Sequence, residues 1–307
     1  MVNVKNLLPI LSALAVLLFA STKGWCADVQ KGWNAFNNGD YSVAFLEWKP
    51  LAEQGDAKAR FLVGAMYFDG AGVPRDYKEA VKWYRLAAEQ GYALAQNNLG
   101  LMYYKGQGVI QDYTLARKWL QLSAGQGVPE AQFLLGWMHY KGQGVPHNYK
   151  EAATWLRLAA DQELAAAQTN LGLMYVKGQG VPRNYKEAFK WFKLAAERGD
   201  STAQTNLGLM YLKGQGVPQD PTEAANWYWF AADQGAPSAQ IRLGMMYEYG
   251  CGVLQDYVSA YMWYSLGASQ GHKIAREHRN IIEKKMSPSQ IEIAQQLARE
   301  WLVKHRG

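Results

Sequence analysis

The sequence predicts an all-α protein, an α-solenoid of stacked helix pairs, and three observations carry that prediction. Gly-x-Gly recurs at Gly70/Gly72, Gly106/Gly108, Gly142/Gly144, Gly178/Gly180, Gly214/Gly216 and Gly250/Gly252, 36 residues apart at every step. Inside one period the apolar residues fall at helical spacing twice, as in Ala95, Leu99, Met102 and Tyr103 and then Ala116, Trp119, Leu120 and Leu122. Other landmarks keep the same beat: Leu-Gly from Leu99-Gly100 to Leu243-Gly244, alanine from Ala80 to Ala260, and tryptophan from Trp83 to Trp263. A fixed period of this length means stacked repeats rather than one closed core.

In chain order, residues 1–27 read as a secretory signal. Lys5 gives a basic start, Leu7 to Ala20 is an apolar run of 14 residues, and cleavage is expected after Cys26 or after Ala27. The run is short for a membrane span, although an uncleaved anchor is the alternative. Removing it takes Lys5 and Lys23 from the 32 basic residues, leaving 30 against 26 acids. So mild a surplus gives no argument for nucleic acid. Loss of Cys26 leaves Cys251 alone, so no disulfide framework is expected and packing must supply stability.

Residues 28–55 hold a degenerate unit that keeps Asp40-Tyr41, Ala44 and Gln54-Gly55 but has Glu47 in the tryptophan column; it reads as an N-terminal cap. Six full units follow over 56–271. Their second helices begin at Asx caps with Glu at the third helical position, as in Asp76-Tyr-Lys-Glu79 and Asn148-Tyr-Lys-Glu151. In the fifth unit the same columns read Asp220-Pro221-Thr222-Glu223, placing proline at the helical position that needs no N–H donor. Residues 272–307 read as capping helices, the last opened by Ser287-Pro288-Ser289-Gln290 and amphipathic through Ile291, Ala294, Leu297, Ala298 and Trp301.

The Lys-Gly-x-Gly stretches invite comparison with a phosphate-binding loop, but their polarity is reversed. Lys105, Lys141, Lys177 and Lys213 end a helix, where a cation suits the negative end of the macrodipole, and glycine then lets the chain leave with φ > 0. A phosphate loop precedes its helix and places Lys-Ser/Thr after the last glycine; no Gly-Lys-Ser/Thr occurs.

The pattern LGxMYxxGxGVPxDYxEAxxWxxxAAxQG, seen at Leu99 to Gly127 and Leu171 to Gly199, resembles the Sel1-like repeat, a relative of the tetratricopeptide repeat. The resemblance implies a right-handed superhelix of antiparallel helix pairs that binds other proteins, often outside the cytoplasm in bacteria, and implies no activity. The sequence departs from the pattern at His139, Glu163 and Cys251. Glu163 stands where a left-handed glycine is usual, so the third unit is expected to end differently from its neighbours.

No catalytic or metal constellation emerges. His-Glu-x-x-His and Ser-x-x-Lys are absent, and the five histidines show no paired ligand spacing beyond a weak i, i+6 at His272 and His278. The expectation is therefore no enzyme, no cofactor and no metal, with a protein or peptide partner. A hydrolase of β-lactams or peptidoglycan, and a module for cell-wall glycan, remain as alternatives.

Columns that are apolar but variable should carry recognition. The columns of residues 97, 101 and 104 form one face of each first helix and read Phe61/Ala65/Phe68, Asn97/Leu101/Tyr104, Phe133/Trp137/Tyr140, Thr169/Leu173/Val176, Thr205/Leu209/Leu212 and Ile241/Met245/Glu248. In repeats of this kind the first helices line the concave side, where an aromatic stripe suits a peptide groove. For the stripe as a whole, contact with the neighbouring helices, as core, is the favoured reading. Bulk concentrated in one unit favours contact roles for Phe133, Trp137 and Tyr140, with Leu101, Tyr104 and Leu173 beside them. Trp229 joins the candidates because its column otherwise holds Arg85, Gln121, Arg157, Lys193 and Ser265.

Overall fold

The structure, a computed structural model, describes residues 27–305, with side chains from Val29 onward; apart from Ala27, the secretory segment lies outside it. The described residues form helices and turns only. They divide into two compact units, one ending at Gln162 and one beginning at Glu163.

The N-terminal unit contains α1 (Ala27–Asn37), α2 (Tyr41–Glu53), α3 (Ala57–Asp69), α4 (Tyr77–Glu89), α5 (Ala93–Lys105), α6 (Tyr113–Gly125), α7 (Pro129–Lys141) and α8 (Tyr149–Asp161). The C-terminal unit contains α9 (Ala165–Lys177), α10 (Tyr185–Glu197), α11 (Ser201–Lys213), α12 (Pro221–Asp233), α13 (Pro237–Tyr249), α14 (Tyr257–Ser269), α15 (Lys273–Glu283) and α16 (Pro288–Lys304). Together they form an all-α solenoid in which each helix packs on the next within its unit.

Each helix pair closes on a glycine. A Cβ at Gly100 would stand 2.7 Å from Leu120 Cγ, and one at Gly172 would stand 2.7 Å from Phe192 Cε1. Those distances are inside van der Waals contact, so the Leu-Gly motif is what lets the two helices of a pair touch. The partner column, Tyr84, Leu120, Leu156, Phe192, Tyr228 and Tyr264, is buried throughout.

The loop between paired helices is pinned at both ends. Gly106 caps α5 at φ 70° and returns its N–H to Met102, while Asp112 N–H binds the Tyr103 carbonyl at 3.0 Å and the Asp112 carboxylate receives Thr114 and Leu115 N–H at 2.8 and 2.9 Å. Gly108 is held at φ 72°, and a Cβ there would collide with the backbone of Tyr77 at the start of α4. The second glycine therefore serves close approach to the preceding unit as well as the turn. The Asx caps form as expected, but the N3 glutamates do not reach back. Glu79 instead meets Lys82 at 3.3 Å, and among the described residues the reciprocal capping box forms at Ser287/Gln290.

A glutamine ladder links successive units. Buried Gln96 donates to the Ala88 carbonyl at the end of α4 (3.1 Å) and accepts from Gln126 at the end of α6 (2.8 Å), so one side chain ties three helices. Gln132/Gln162, Gln204/Gln234 and Gln240/Gln270 repeat the arrangement. In the first unit Arg60 takes the column and binds the Ala52 carbonyl at 3.0 Å. The donor amide of Gln96, Gln132, Gln204 and Gln240 is satisfied by a carbonyl of the preceding repeat, which makes the ladder a register device.

The C-terminal cap is fastened twice. Glu248, 3 % exposed, receives the Tyr264 hydroxyl at 2.8 Å and faces His278 Nδ1 at 3.2 Å, joining α13, α14 and α15. Trp301 of α16 lies against Trp263 and donates to Asp233 at 3.2 Å.

The expectation for Glu163 is corrected. It is held at φ 67°, as Gly127 and Gly199 are at 89° and 87°, so the third unit ends as its neighbours do. The following helix must start in register, and Arg198 meets the Glu163 carboxylate at 2.7 Å. The left-handed penalty of about 1–2 kcal/mol exceeds the glycine entropy cost and the small contribution of an exposed ion pair. Glu163→Gly should therefore stabilise the protein by about 0.5–1 kcal/mol in chemical denaturation; a lower midpoint would show that the ion pair dominates.

Burial raises the hydroxyls of Tyr84, Tyr228 and Tyr264, with Tyr228 pushed up to about 12. A raised folded-state value stabilises fully below the unfolded value near 10 and is lost as pH rises from there. Thermal stability should fall between about pH 10 and 12, and Tyr228→Phe should flatten that fall. An unchanged alkaline profile in the variant would exclude Tyr228 as a contributor.

Candidate functional site

The stripe of first-helix residues is not uniform, and its N-terminal end borders a groove. There the capping repeat and the first two full units enclose an apolar groove of about 730 Å³, including the solvent at its mouth. Its floor is aromatic. Gly32 lacks the Cβ that would strike Trp48, so α1 lies directly on that indole, whose Nε1 donates to the Val29 carbonyl at 3.1 Å. Trp33 and Phe36 pack on Trp48 at centroid distances of 5.2 and 5.8 Å. Interlocked rings of this kind hold the floor rigid.

The walls come from α3 and α5. Phe61, Ala65 and Phe68 stand one helical turn apart on α3, and Leu101 faces them from α5. Phe61 is held between Tyr84 and Tyr92, at 5.7 and 5.3 Å. Burial raises the Tyr84 hydroxyl and pushes Tyr92 up to about 12, so both are neutral donors at physiological pH. Asn98 is hydrogen-bonded to Tyr84, and Asp69 stands at the rim. A concave apolar space with a few polar groups is suited to binding, and no nucleophile with an adjacent base converges there. Among the described residues no group of three or more His, Cys, Asp or Glu side chains is placed to hold a metal.

The candidates named from the sequence separate into distinct environments. Leu101 lines the groove while remaining 5 % exposed. Phe133 is completely enclosed, so it supports the fold and cannot touch a partner; its column faces the neighbouring helices. Trp137 and Tyr140 are half-buried and stack at 5.8 Å with 13° between their planes, and Lys141 Nζ lies 4.9 Å from the Trp137 ring. Tyr104 joins them: it is hydrogen-bonded to Trp137 and donates to Gln143 at 2.8 Å, and burial raises its hydroxyl. These three form one partly exposed cluster over α5 and α7. In the C-terminal unit, Leu173 is half-buried on α9, while Trp229 is 45 % exposed on α12 with Phe230 edge-on at 5.4 Å.

Sequence reasoning missed Trp33, Phe36, Trp48 and Asp69. The first three fall in a segment read as a cap, where burial is the ordinary expectation. Asp69 did leave a trace, because it occupies the column that holds Lys105, Lys141, Lys177 and Lys213 in later units.

The described geometry is that of a helical-repeat solenoid, and the comparisons agree. The Sel1 repeat family matches at residues 57–92, 93–128, 129–164, 165–200, 201–235 and 237–272, and the chain belongs to that family. It is similar to the crystal structure of a Sel1 repeat protein from Oxalobacter formigenes, at 32 % identity and TM-score 0.72, over 79 % of this chain and 97 % of that one. It is also similar to c5321, described as a protective antigen of uropathogenic Escherichia coli with this fold, at 28 % identity and TM-score 0.50, over 91 % of this chain and 84 % of that one. No curated protein sequence matched. Sel1 repeat proteins typically mediate protein–protein interaction, and the fold is generally a non-catalytic scaffold.

Phe133→Ala should cost about 3–5 kcal/mol through the cavity it leaves. Trp137→Ala, at a half-exposed position, should cost about 2 kcal/mol or less. Denaturant titrations of both variants check this, and equal losses would place Trp137 in the core.

Proposed function

We propose that this chain is an exported, non-enzymatic adaptor of the bacterial envelope or exterior that holds a protein or peptide partner on its first-helix face. The observation that carries the proposal is the open groove of α1–α5, apolar on its walls and aromatic on its floor. Such a surface buries an extended or helical segment with little reorganisation. Tyr104, Trp137 and Tyr140 extend the contact surface in the same unit; in the C-terminal unit, Leu173 on a first helix and Trp229 on a second helix are separate candidate contacts. Export is supported by the basic start and apolar run of residues 1–27 and agrees with the similarity to a protein described as a protective antigen. The adaptor needs no metal or cofactor.

A photo-crosslinking residue placed at Ala65, inside the groove, should trap a defined partner in the native compartment. The same residue at Leu158, exposed on α8, should not. Equal products from both positions, or none from Ala65, would remove the groove from the function. Mass spectrometry of the exported chain should find its N-terminus at Ala27 or Asp28; retention of the apolar run would replace release with anchoring.

A further inference from the structure

Asp69 is out of place twice. It ends α3, where the carbonyl ends of the helix repel an anion, and four later units carry lysine in that column. It also stands against the apolar wall of the groove. Its carboxylate has no hydrogen bond or ion pair among the described residues, since Arg75 donates to the Asp69 backbone carbonyl instead, at 3.2 Å. Asp69 is solvent-exposed at the edge of the groove, with the Arg75 charge nearby. A residue that conflicts with its helix and lacks a partner, yet borders the one open groove described here, fits a role outside folding.

We infer that Asp69 is the recognition charge of this groove, and that the partner enters as an apolar segment carrying a lysine, an arginine or a free α-amine. The apolar side chains occupy the space between Phe36, Ala65, Phe68 and Leu101, and the cation reaches the Asp69 carboxylate at the rim. Two features favour a cation there. The carboxylate offers a charge-assisted acceptor, and the C-terminal end of α3 adds its own negative potential. Acidic segments would set like charges together at the rim, so the groove discriminates against them. Tyr84 and Asn98 already bind each other beneath the wall, leaving Asp69 as the group that reads the partner. This inference rests on the groove being the partner site.

The test is selection of peptides from a random heptamer library on the purified full chain, with Asp69→Lys and Ala65→Trp run in parallel. The wild-type chain should enrich lysine or arginine among apolar residues. Selected peptides should bind Asp69→Lys at least about tenfold more weakly, and their affinity for the wild type should fall with added salt. The Asp69→Lys melting midpoint should not fall, because lysine suits that helix end, so lost binding cannot be ascribed to unfolding. Ala65→Trp should abolish binding by filling the space. Enriched peptides that need Ala65 but carry no cation, or that bind Asp69→Lys equally, would overturn the role of Asp69 and leave the groove standing. Absence of any peptide sensitive to Ala65→Trp would overturn the groove and this inference together. Enrichment of the chain's own Lys5 to Ala20 pattern would identify its N-terminal segment as the occupant and overturn the partner assignment.

Discussion

The structure depends on helices that approach closely enough for a missing Cβ to matter. Where Gly100 meets Leu120, or Gly172 meets Phe192, the first helix presents bare backbone and the second fills the space with one large side chain. That contact brings the pair together and buries the aromatic and leucine column that forms the heart of each unit. A glycine inside a helix costs about 1 kcal/mol against alanine, so its recurrence in every unit has to be offset by packing. Close contact along the whole pair provides that.

Between pairs, polar groups take over the work of alignment. Apolar faces alone would let one repeat slide on the next, because dispersion and area burial are nearly indifferent to small shifts. The buried glutamines are not indifferent. Gln96 is satisfied when the Ala88 carbonyl and the Gln126 amide are both in place, and a slip of one residue would orphan it in an apolar setting. The second loop glycine adds a steric stop against the previous unit. Folding and register are thereby assigned to invariant columns, which leaves the remaining columns free to vary.

That freedom is used unevenly. In the first two units and the capping repeat, the variable columns and the cap's own tryptophans enclose space; in the third, Phe133 fills it and leaves Trp137 and Tyr140 partly outside. The same stripe therefore lines an open groove at one end and is core a few helices later. What decides is the size of the side chains around each position. Asp69 shows how free such a column is: an acid ends α3 where four later units end in lysine.

Period, helix boundaries, caps and turns were legible without coordinates, because they follow from local chemistry repeated in register. Asp112 caps α6, Gly106 ends α5 and Pro221 opens α12, as the column pattern requires. The local cost at Glu163 was legible too, whereas its outcome was set by the need to start α9 in register. The groove was not legible, since it arises from rings of α1 and α2 meeting side chains of α3 and α5 that are distant in sequence. Periodicity places a residue on a face, but neither burial nor the emptiness beside it can be read from a column. Those depend on the volumes of all the neighbours at once, and only the tertiary structure brings these together.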